Sequence, residues 1–408
     1  MNVLFVAEDC PYPPDNGGRL RTFNLLKRLS LRHEITLIAL AESEADINTA
    51  FGHSLKQVIQ VSPVRRTPTR RLTTLVSRQP YIISKFASPE MSAAVGKTLA
   101  DRSFDLLHCD SAMVAYCVPT NAPVPKVINM HNIEAMIWEH YVDKERRPWM
   151  MPLLRSQLSK IASYESHLPR LFDWCVTVSE QDRNQMRSRY GFENVSVVPN
   201  SVDLDFYEPL PEPPKPVVAF ISSLDYRPNK DAVCWFMESI WPRVRAQMPE
   251  AQMMVVGRRP PRWMADRCRQ ADIALHSDVP DTRPYLADAA VIVVPIRIGG
   301  GTRLKILEAM AAGRCVVSTT IGAEGLCARD GEHLAIADEP VDFARKVVSL
   351  LRAPNTRQVL ARQARALVEA EYGSDRAAGQ MEEVWNQACA QQHINGETYA
   401  SAQSSDHH

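Results

Sequence analysis

The sequence predicts an α/β protein made of two consecutive doubly wound domains. Its 408 residues exceed what one ordinary hydrophobic core accommodates, so two domains of roughly 200 residues each are expected. Short apolar runs alternate with helical patterns along both halves, which is typical of parallel sheets covered by helices. The proline-rich stretch EPLPEPPKP, at 208–216, separates the two series.

The first domain is predicted over residues 1–204. The apolar runs VLFVA (3–7) and EITLIAL (34–40) bracket a helical pattern at 19–30, an arrangement that begins a parallel sheet. Four later apolar runs predict further strands: DLLHCD (105–110), PKVINM (125–130), WCVTVS (174–179) and VSVVPN (195–200).

The second domain is predicted over residues 217–372, after a linker at 205–216 that its prolines keep extended. A helix at 373–390 is expected to pack back on the first domain, and the polar residues 391–408 are expected to form a disordered tail. Six apolar runs predict the strands of this domain: VVAFIS (217–222), AQMMVVG (251–257), IALHS (273–277), AVIVVP (290–295), CVVST (315–319) and HLAIA (333–337).

Composition and charge argue against several classes of protein. The chain has 47 basic and 47 acidic residues, so its overall charge predicts no nucleic-acid partner. No apolar run approaches the roughly 20 residues that span a bilayer, and the acidic N-terminal residues Glu8 and Asp9 argue against a signal peptide. Nine cysteines without a C-x-x-C pair indicate reduced thiols. These features predict a cytoplasmic protein without a metal site.

The segment PIRIGGGTRLKILEAMAAG, at 295–313, is the strongest candidate for a ligand site. After an apolar strand, glycines let a ligand approach the backbone closely. Thr302 stands where a helix N-cap is expected. The segment matches neither a P-loop nor G-x-G-x-x-G. The three glycines are Gly299, Gly300 and Gly301.

The charged residues of the same helix predict what it binds. Free N–H groups at a helix start, with Arg303 and Lys305 beside them, form a natural site for phosphate. Glu308 lies about two turns into the helix and could accept hydrogen bonds from ribose hydroxyls. The alternative is that Glu308 only pairs with Lys305, three residues earlier.

Two features of the first domain are further candidates. Gly17 and Gly18 follow the first strand, where they either form a tight turn or bring backbone amides beside a substrate. His131 follows the strand predicted at 125–130, and the carboxyl ends of strands are where doubly wound sheets bind ligands. A structural histidine is the alternative interpretation.

These motifs together resemble glycosyltransferase family 4, whose members are retaining enzymes of the GT-B fold. The segment from Gly299 onward is similar to the family's donor-binding segment, and YPPDNGGRLR (12–21) to its glycine-rich loop. VVPNSVD (197–203) resembles the interdomain signature, and FISSLDYRPNKDAVCWF (220–236) the opening of the second domain. The resemblance therefore covers nearly the whole chain and implies two Rossmann-like domains facing a central cleft.

The sequence departs from the family at two places. In the family's Glu-x7-Glu motif the second glutamate matches Glu308, but Gly300 stands at the first position, so GGGTRLKILEA defines a subgroup. Ser222 and Ser223 replace the Gly-Arg pair that supplies a diphosphate arginine. The candidates for the diphosphate are Arg227, Lys230 and Arg303.

The resemblance implies a metal-independent retaining hexosyltransferase, EC 2.4, that needs no cofactor beyond its nucleoside-diphosphate sugar. His131 is expected to face the donor sugar and Glu308 to bind the ribose. The sugar would pass to a hydroxyl of a glycan, lipid-linked or small-molecule acceptor in polysaccharide or glycoconjugate biosynthesis. A lone D-x-D at 203–205 is not expected to bind metal. The alternatives are an epimerase of the same fold, a non-catalytic nucleotide-sugar-binding subunit and, last, an NAD dehydrogenase.

A basic segment predicts a second kind of contact. Residues 47–89 contain no acidic residue and interleave basic with apolar side chains, a composition that suits an anionic membrane surface or a polyprenyl-pyrophosphate-linked acceptor. A solvated basic face is the alternative. The segment predicts a peripheral position on the cytoplasmic face of the membrane, through Arg65, Arg66, Arg70 and Arg71.

Overall fold

A computed structural model describes residues 1–41, 47–63, 77, 79–299 and 302–405 of the chain. These residues form two compact units. The first is Met1–Pro199 together with the chain from Asp375 onward, and the second is Asn200–Ser374.

The boundary between the units differs from the one that the sequence suggested. The first unit ends at Pro199, whereas the first domain was expected to end at residue 204. The chain joins the second unit earlier because the Asn200 side chain donates to the backbone oxygen of Thr302 over 3.2 Å. The proline-rich stretch at 205–216 is also part of the second unit.

The first unit contains a parallel sheet of seven described strands in the order β3-β2-β1-β4-β5-β6-β7. β3 was not expected from the sequence, because Gln57 and Gln60 interrupt its apolar run and most of its residues are only half-buried at the sheet edge. The strands are β1 (Asn2–Ala7), β2 (Glu34–Leu40), β3 (Gln57–Val61), β4 (Leu106–Cys109), β5 (Lys126–Met130), β6 (Trp174–Thr177) and β7 (Val195–Val197).

Helices cover both faces of this sheet. Alternate residues of β1 point to opposite faces, so Val3 and Phe5 enter one apolar cluster and Leu4 and Val6 the other. The described helices are α1 (Gly17–Leu29), α2 (Ile47–Ala50), α3 (Tyr81–Ser84), α4 (Pro89–Asp101), α5 (Glu134–Lys144), α6 (Met151–Glu165), α7 (Leu168–Leu171) and α8 (Glu180–Tyr190), with 3₁₀ turns at Ala112–Cys117 and Pro148–Met150.

The second unit repeats the architecture with six parallel strands in the order β10-β9-β8-β11-β12-β13. The strands are β8 (Val217–Ile221), β9 (Gln252–Gly257), β10 (Ala274–Ser277), β11 (Val291–Val294), β12 (Cys315–Ser318) and β13 (Ala335–Ile336). The helices are α9 (Arg227–Trp235), a π-helical turn at Phe236–Ile240, α10 (Trp241–Gln247), α11 (Arg262–Gln270), α12 (Arg283–Asp288), α13 (Leu304–Ala311), α14 (Pro340–Arg352) and α15 (Pro354–Glu371).

The last helix, α16 (Ser374–Ser405), joins the first unit from Asp375 onward. Its apolar face buries Met381 and Trp385 in the cluster that includes Val3 and Phe5. The backbone stays helical through Ser405, over residues for which the sequence suggested a disordered tail. That stretch contains no proline to end the helix.

Each sheet has a switch point, where the strand order turns back from the first strand of the unit. In the first unit it lies between β1 and β4, and in the second between β8 and β11. Ligands of doubly wound sheets bind outside the carboxyl ends of the strands at such points. The two candidate sites therefore begin there.

Candidate functional site

Beyond the carboxyl end of β1, the glycine-rich loop lies close to the predicted histidine. A Cβ atom added to Gly18 would lie 3.5 Å from Nδ1 of His131, in van der Waals contact, so the glycine loop lies directly beside the imidazole. Gly17 is the first residue of α1 and is exposed. Arg19, in the same turn, is engaged by Asp9 through two hydrogen bonds of 2.7 and 2.8 Å.

Asp110, just past the end of β4, is the acid around which this site is organised. It is 1% exposed, and its carboxylate accepts hydrogen bonds from Asn129 Nδ2 at 2.8 Å and from the Thr22 hydroxyl. Its Oδ1 lies 3.4 Å from Nε2 of His131 and 3.6 Å from Nε2 of His108. Burial opposes ionisation, but the two histidines outweigh it and lower the pKa of Asp110. No role was predicted for Asp110 from the sequence, although it ends the strand predicted at 105–110.

Arg21 is a buried cation that belongs to the same cluster. It is 1% exposed, and its guanidinium donates to the backbone oxygens of Pro199 and Val198, both at 2.8 Å, and to Asn129 Oδ1 at 3.1 Å. Burial lowers the pKa of Arg21 to about 10, with Asp110 acting in the opposite direction. Arg21 therefore remains a cation that holds the end of the first unit against α1.

Three glutamates of the first unit have raised pKa values, and one of them, Glu8, interacts with His131. Burial, reinforced by Glu165 and Glu8, raises the pKa of Glu134 to about 8. Burial likewise raises the pKa of Glu165 to about 7, although it accepts hydrogen bonds from the Glu134 backbone N–H and the Tyr190 hydroxyl, each at 2.7 Å. The pKa of Glu8 is raised by burial, against the opposing effect of His131. Glu165 thus caps the start of α5 from the end of α6.

In the second unit, Lys305 lies at the switch point between β8 and β11. Its ammonium donates to the Ser222 hydroxyl at 2.5 Å and to Asn229 Oδ1 at 2.8 Å. Burial, reinforced by Arg303, lowers the pKa of Lys305 to about 7. Ser222, which stands where family 4 has a glycine, therefore positions a lysine amine beyond the end of β8.

Glu308 has a partner that the sequence did not reveal. The Tyr207 hydroxyl donates to its Oε1 at 3.1 Å. Burial raises the pKa of Glu308, while Tyr207 and Lys305 lower it. No ion pair joins Glu308 to Lys305 among the described residues, and the hydrogen bond to Glu308 comes from Tyr207 instead.

The start of α13 corrects one expectation. The N-cap residue is Arg303, not Thr302. Thr302 cannot cap because its Oγ1 accepts from the Asn200 side chain at 2.5 Å, which draws it toward the start of the unit. Gly299 has a φ of 135°, and a Cβ there would lie 2.8 Å from Nη2 of Arg303, so the guanidinium packs over glycine backbone. Gly300 and Gly301 lie outside the described residues.

The remaining diphosphate candidates lie on α9. Arg227 is its first residue and is exposed, and Lys230 follows one turn later, half-buried. Asn229, between them in sequence, links this helix to Lys305 through the hydrogen bond already described. Arg258, past the end of β9, donates to the Ser223 hydroxyl at 3.3 Å and adds a cation that the sequence did not suggest.

Three other expectations concern metal and membrane. Asp203 of the D-x-D accepts the backbone N–H groups of Asp205 at 3.2 Å and Phe206 at 3.4 Å, which closes a local turn. Within the described ranges, no cluster of three potential metal ligands is found. None of the described helices is both long enough and apolar enough to cross a bilayer. The basic residues Arg65, Arg66, Arg70 and Arg71 lie outside the part of the chain that the structure describes.

Comparison with known families gives two matches. Residues 16–206 match a model described as Glycosyltransferase Family 4, and residues 215–353 match one described as Glycosyl transferases group 1. Together the two matches span most of the chain. A curated relative, an uncharacterized 44.6 kDa protein in the cps region of Klebsiella pneumoniae, is 20% identical over 387 residues, covering 91% of this chain and 96% of that protein.

Solved structures agree on the architecture. Sucrose-phosphate synthase from Thermosynechococcus elongatus superimposes with a TM-score of 0.73 at 16% identity, over 96% of this chain and 100% of that one. Anabaena Alr3699/HepE in complex with UDP-glucose gives a TM-score of 0.67 at 14% identity, over 95% and 100%. The two parallel α/β domains thus have the GT-B fold. With both domains matching glycosyltransferase models, the protein is a glycosyltransferase.

Proposed function

We propose that the protein is a retaining glycosyltransferase that takes its sugar from a nucleoside-diphosphate donor. The observation that carries the proposal is the arrangement at the switch point of the second unit, where Lys305 and Glu308 lie one turn apart on α13. A single helix then presents both groups that the donor needs: the Glu308 carboxylate for the ribose hydroxyls and the Lys305 amine for the diphosphate. The relative Alr3699/HepE, in complex with UDP-glucose, supports a donor of this class.

The diphosphate is bound without a metal ion in this proposal. Backbone N–H groups at the start of α13 bind the phosphates, with Arg303 at the N-cap and Lys230 and Arg227 contributed by α9. Lys305, whose pKa is lowered to about 7, gains its proton fully when the dianion arrives, because a nearby negative charge stabilises the ammonium.

A second part of the proposal concerns the first unit, where the residues around His131 are proposed to bind a sugar. Asp110 Oδ1 lies 3.4 Å from Nε2 of the His131 ring, Nδ1 lies on the side of the glycine loop, and the ring is proposed to face the sugar. Gly17 and Gly18 keep this space open for the sugar or the acceptor. His131 is thus the catalytic histidine and Asp110 its positioning residue.

The chemical step exchanges one bond at the anomeric carbon for another. The bond to the departing diphosphate breaks as an acceptor hydroxyl approaches the same face, and the hydroxyl proton passes to the departing phosphate oxygen. Arg303, Lys305 and the helix N–H groups stabilise the charge that develops on the diphosphate. The acceptor is a glycan, a lipid-linked glycan or a small molecule, in polysaccharide or glycoconjugate biosynthesis.

The test uses donor turnover and matched glutamate variants. UDP-, GDP- and ADP-sugars are incubated with glycan and lipid acceptors, and released nucleotide is measured by mass spectrometry. Glu308→Gln is expected to raise the donor KM strongly, whereas Glu339→Gln, at an exposed position of the same unit, is expected to leave it unchanged. Product NMR then reports whether the anomeric configuration is retained.

The outcomes separate the alternatives. Turnover that is insensitive to Glu308→Gln would contradict the donor site proposed on α13. Tight donor binding without turnover for every acceptor would favour a non-catalytic binding subunit. Conversion of the free nucleotide sugar into its epimer would favour the epimerase.

A further inference from the structure

The turn between α5 and α6 exposes an unbroken apolar run. Residues 148–153 read PWMMPL, and within it Trp149 is 72% exposed and Leu153 is 38% exposed. Single apolar side chains on a surface are ordinary, but a consecutive run with an exposed tryptophan at its centre is not. This feature has no part in the sites described above.

Local structure explains why these side chains point outward. Pro148 opens a 3₁₀ turn that continues directly into α6. On α6 the buried positions are Leu154, Gln157, Ile161 and Glu165, and the Gln157 side chain accepts the Tyr81 backbone N–H at 2.8 Å. Trp149 lies in the 3₁₀ turn just before α6 and Leu153 in the first turn of α6, so both exposed side chains belong to the same end of the helix.

The charges around the run are predominantly positive. Arg146 and Arg155 are exposed on either side of it. Two of the nearby acids are paired, since Glu145 lies 2.8 Å from Arg147 and Glu139 lies 2.6 Å from Arg189, while Asp143 is an exposed acid on the same side of the run as Arg146. The surface therefore presents apolar side chains with a cationic rim.

We propose that residues 146–155 dock on an anionic lipid bilayer, with Trp149 and Leu153 entering the headgroup region. Tryptophan favours this depth because its ring is apolar while its indole N–H remains hydrogen-bonded. Arg146 and Arg155 meet the anionic headgroups, which attract cations near the surface. A lipid surface fits because the exposed apolar run is flanked by the exposed Arg146 and Arg155, a charge pattern complementary to anionic headgroups.

Binding of the full-length protein to vesicles tests the proposal. Sedimentation with vesicles of phosphatidylglycerol mixed with phosphatidylcholine is compared with vesicles of phosphatidylcholine alone. The doubly substituted protein, Trp149→Ser with Leu153→Ser, is expected to lose roughly tenfold or more of its partition coefficient for the anionic vesicles. Arg146→Gln with Arg155→Gln is expected to weaken binding to the anionic vesicles in a salt-dependent way.

Leu31→Ser is the matched control, because Leu31 is also 72% exposed and lies in the same unit. It is expected to bind vesicles as the wild type does, and thermal melts verify that every variant is folded. Equal binding by the double variant and the control would overturn the proposal, as would a wild type that binds neither vesicle. Loss of a dimer in the double variant, with vesicle binding unchanged, would identify the patch as a contact between copies of the chain instead.

Discussion

Asp110 illustrates how a single side chain can determine the state of its neighbours. It lies within 3.6 Å of two imidazoles and accepts two further hydrogen bonds, so its charge fixes the orientation of His131. Asp110→Asn keeps the size and removes the charge. We expect kcat to fall roughly 10- to 100-fold with little change in the donor KM.

A second readout distinguishes positioning from mere folding. Nitrogen NMR of the His131 ring is expected to show the proton on Nε2 in the wild type and a redistributed proton in Asp110→Asn. An unchanged tautomer with full activity would show that Asp110 has no role in positioning His131. An unchanged tautomer with lost activity would instead assign the effect to another part of the site.

Glu134 gives the first unit a pH-dependent stability. Burial, with Glu165 and Glu8 nearby, raises its pKa to about 8 in the folded state, above the ordinary value of 4.5. The folded protein therefore binds more protons than the unfolded chain between these values, and stability falls as the pH rises through that window. Glu134→Gln should flatten this fall.

The measurement is a series of thermal melts from pH 5 to pH 8, wild type against Glu134→Gln. At pH 5 the two Tm values should nearly coincide, and by pH 8 the variant should melt several degrees higher, at about 2–4 °C per kcal/mol for units of this size. The lowered pKa of Lys305 makes stability rise with pH, which is the opposite of the effect of Glu134. Because both proteins contain Lys305, the difference between their Tm values at each pH removes this contribution. Parallel curves would contradict the expectation.

At the scale of the element, the end of β9 tolerates only glycine. A Cβ added to Gly257 would lie 1.9 Å from the backbone oxygen of Ser222, the residue whose hydroxyl holds Lys305. Gly257→Ala must therefore displace β8 from β9, and we expect a loss of about 3 kcal/mol in unfolding free energy with weakened donor binding.

Gly96→Ala is the opposite case. Gly96 lies inside α4, and nothing is within 4 Å of the Cβ it would gain. The substitution should stabilise the protein by about 0.5–1 kcal/mol through the better helix propensity of alanine. Urea titrations of the two variants should deviate from the wild type in opposite directions, and deviations of the same sign would refute the steric argument.

The sequence predicted the strands better than it predicted the contacts between side chains. Continuous apolar runs identified the buried strands, whereas β3 was missed because its glutamines break the pattern. The glycine-rich segment before α13 was predicted to be a ligand site, and it stays a prediction. Ser222, Asn229 and Tyr207, which hold its charged side chains, could not be found because they lie at least 76 residues away in sequence.

For the molecule as a whole, α16 decides whether the first unit is complete. Trp385 is fully buried, and its indole N–H donates to Nδ1 of His108 at 3.1 Å. Trp385→Ala should cost about 3–5 kcal/mol. A chain ended after Gln392 retains this contact and should melt with the wild type, whereas one ended after Ser374 should not fold its first unit. Equal melting of the two truncated chains would contradict this assignment.

The place of α16 also has a consequence for synthesis on the ribosome. Strands β1 and β2 emerge early, but the apolar side chains of Ala377, Met381 and Trp385 that cover one of their faces emerge only after the whole second unit. We expect the nascent first unit to expose this apolar face, and so to be prone to aggregation and to need a chaperone, until translation is nearly finished. Folding of the first unit is then completed only after α16 has been translated, and not when the unit's own strands have been made.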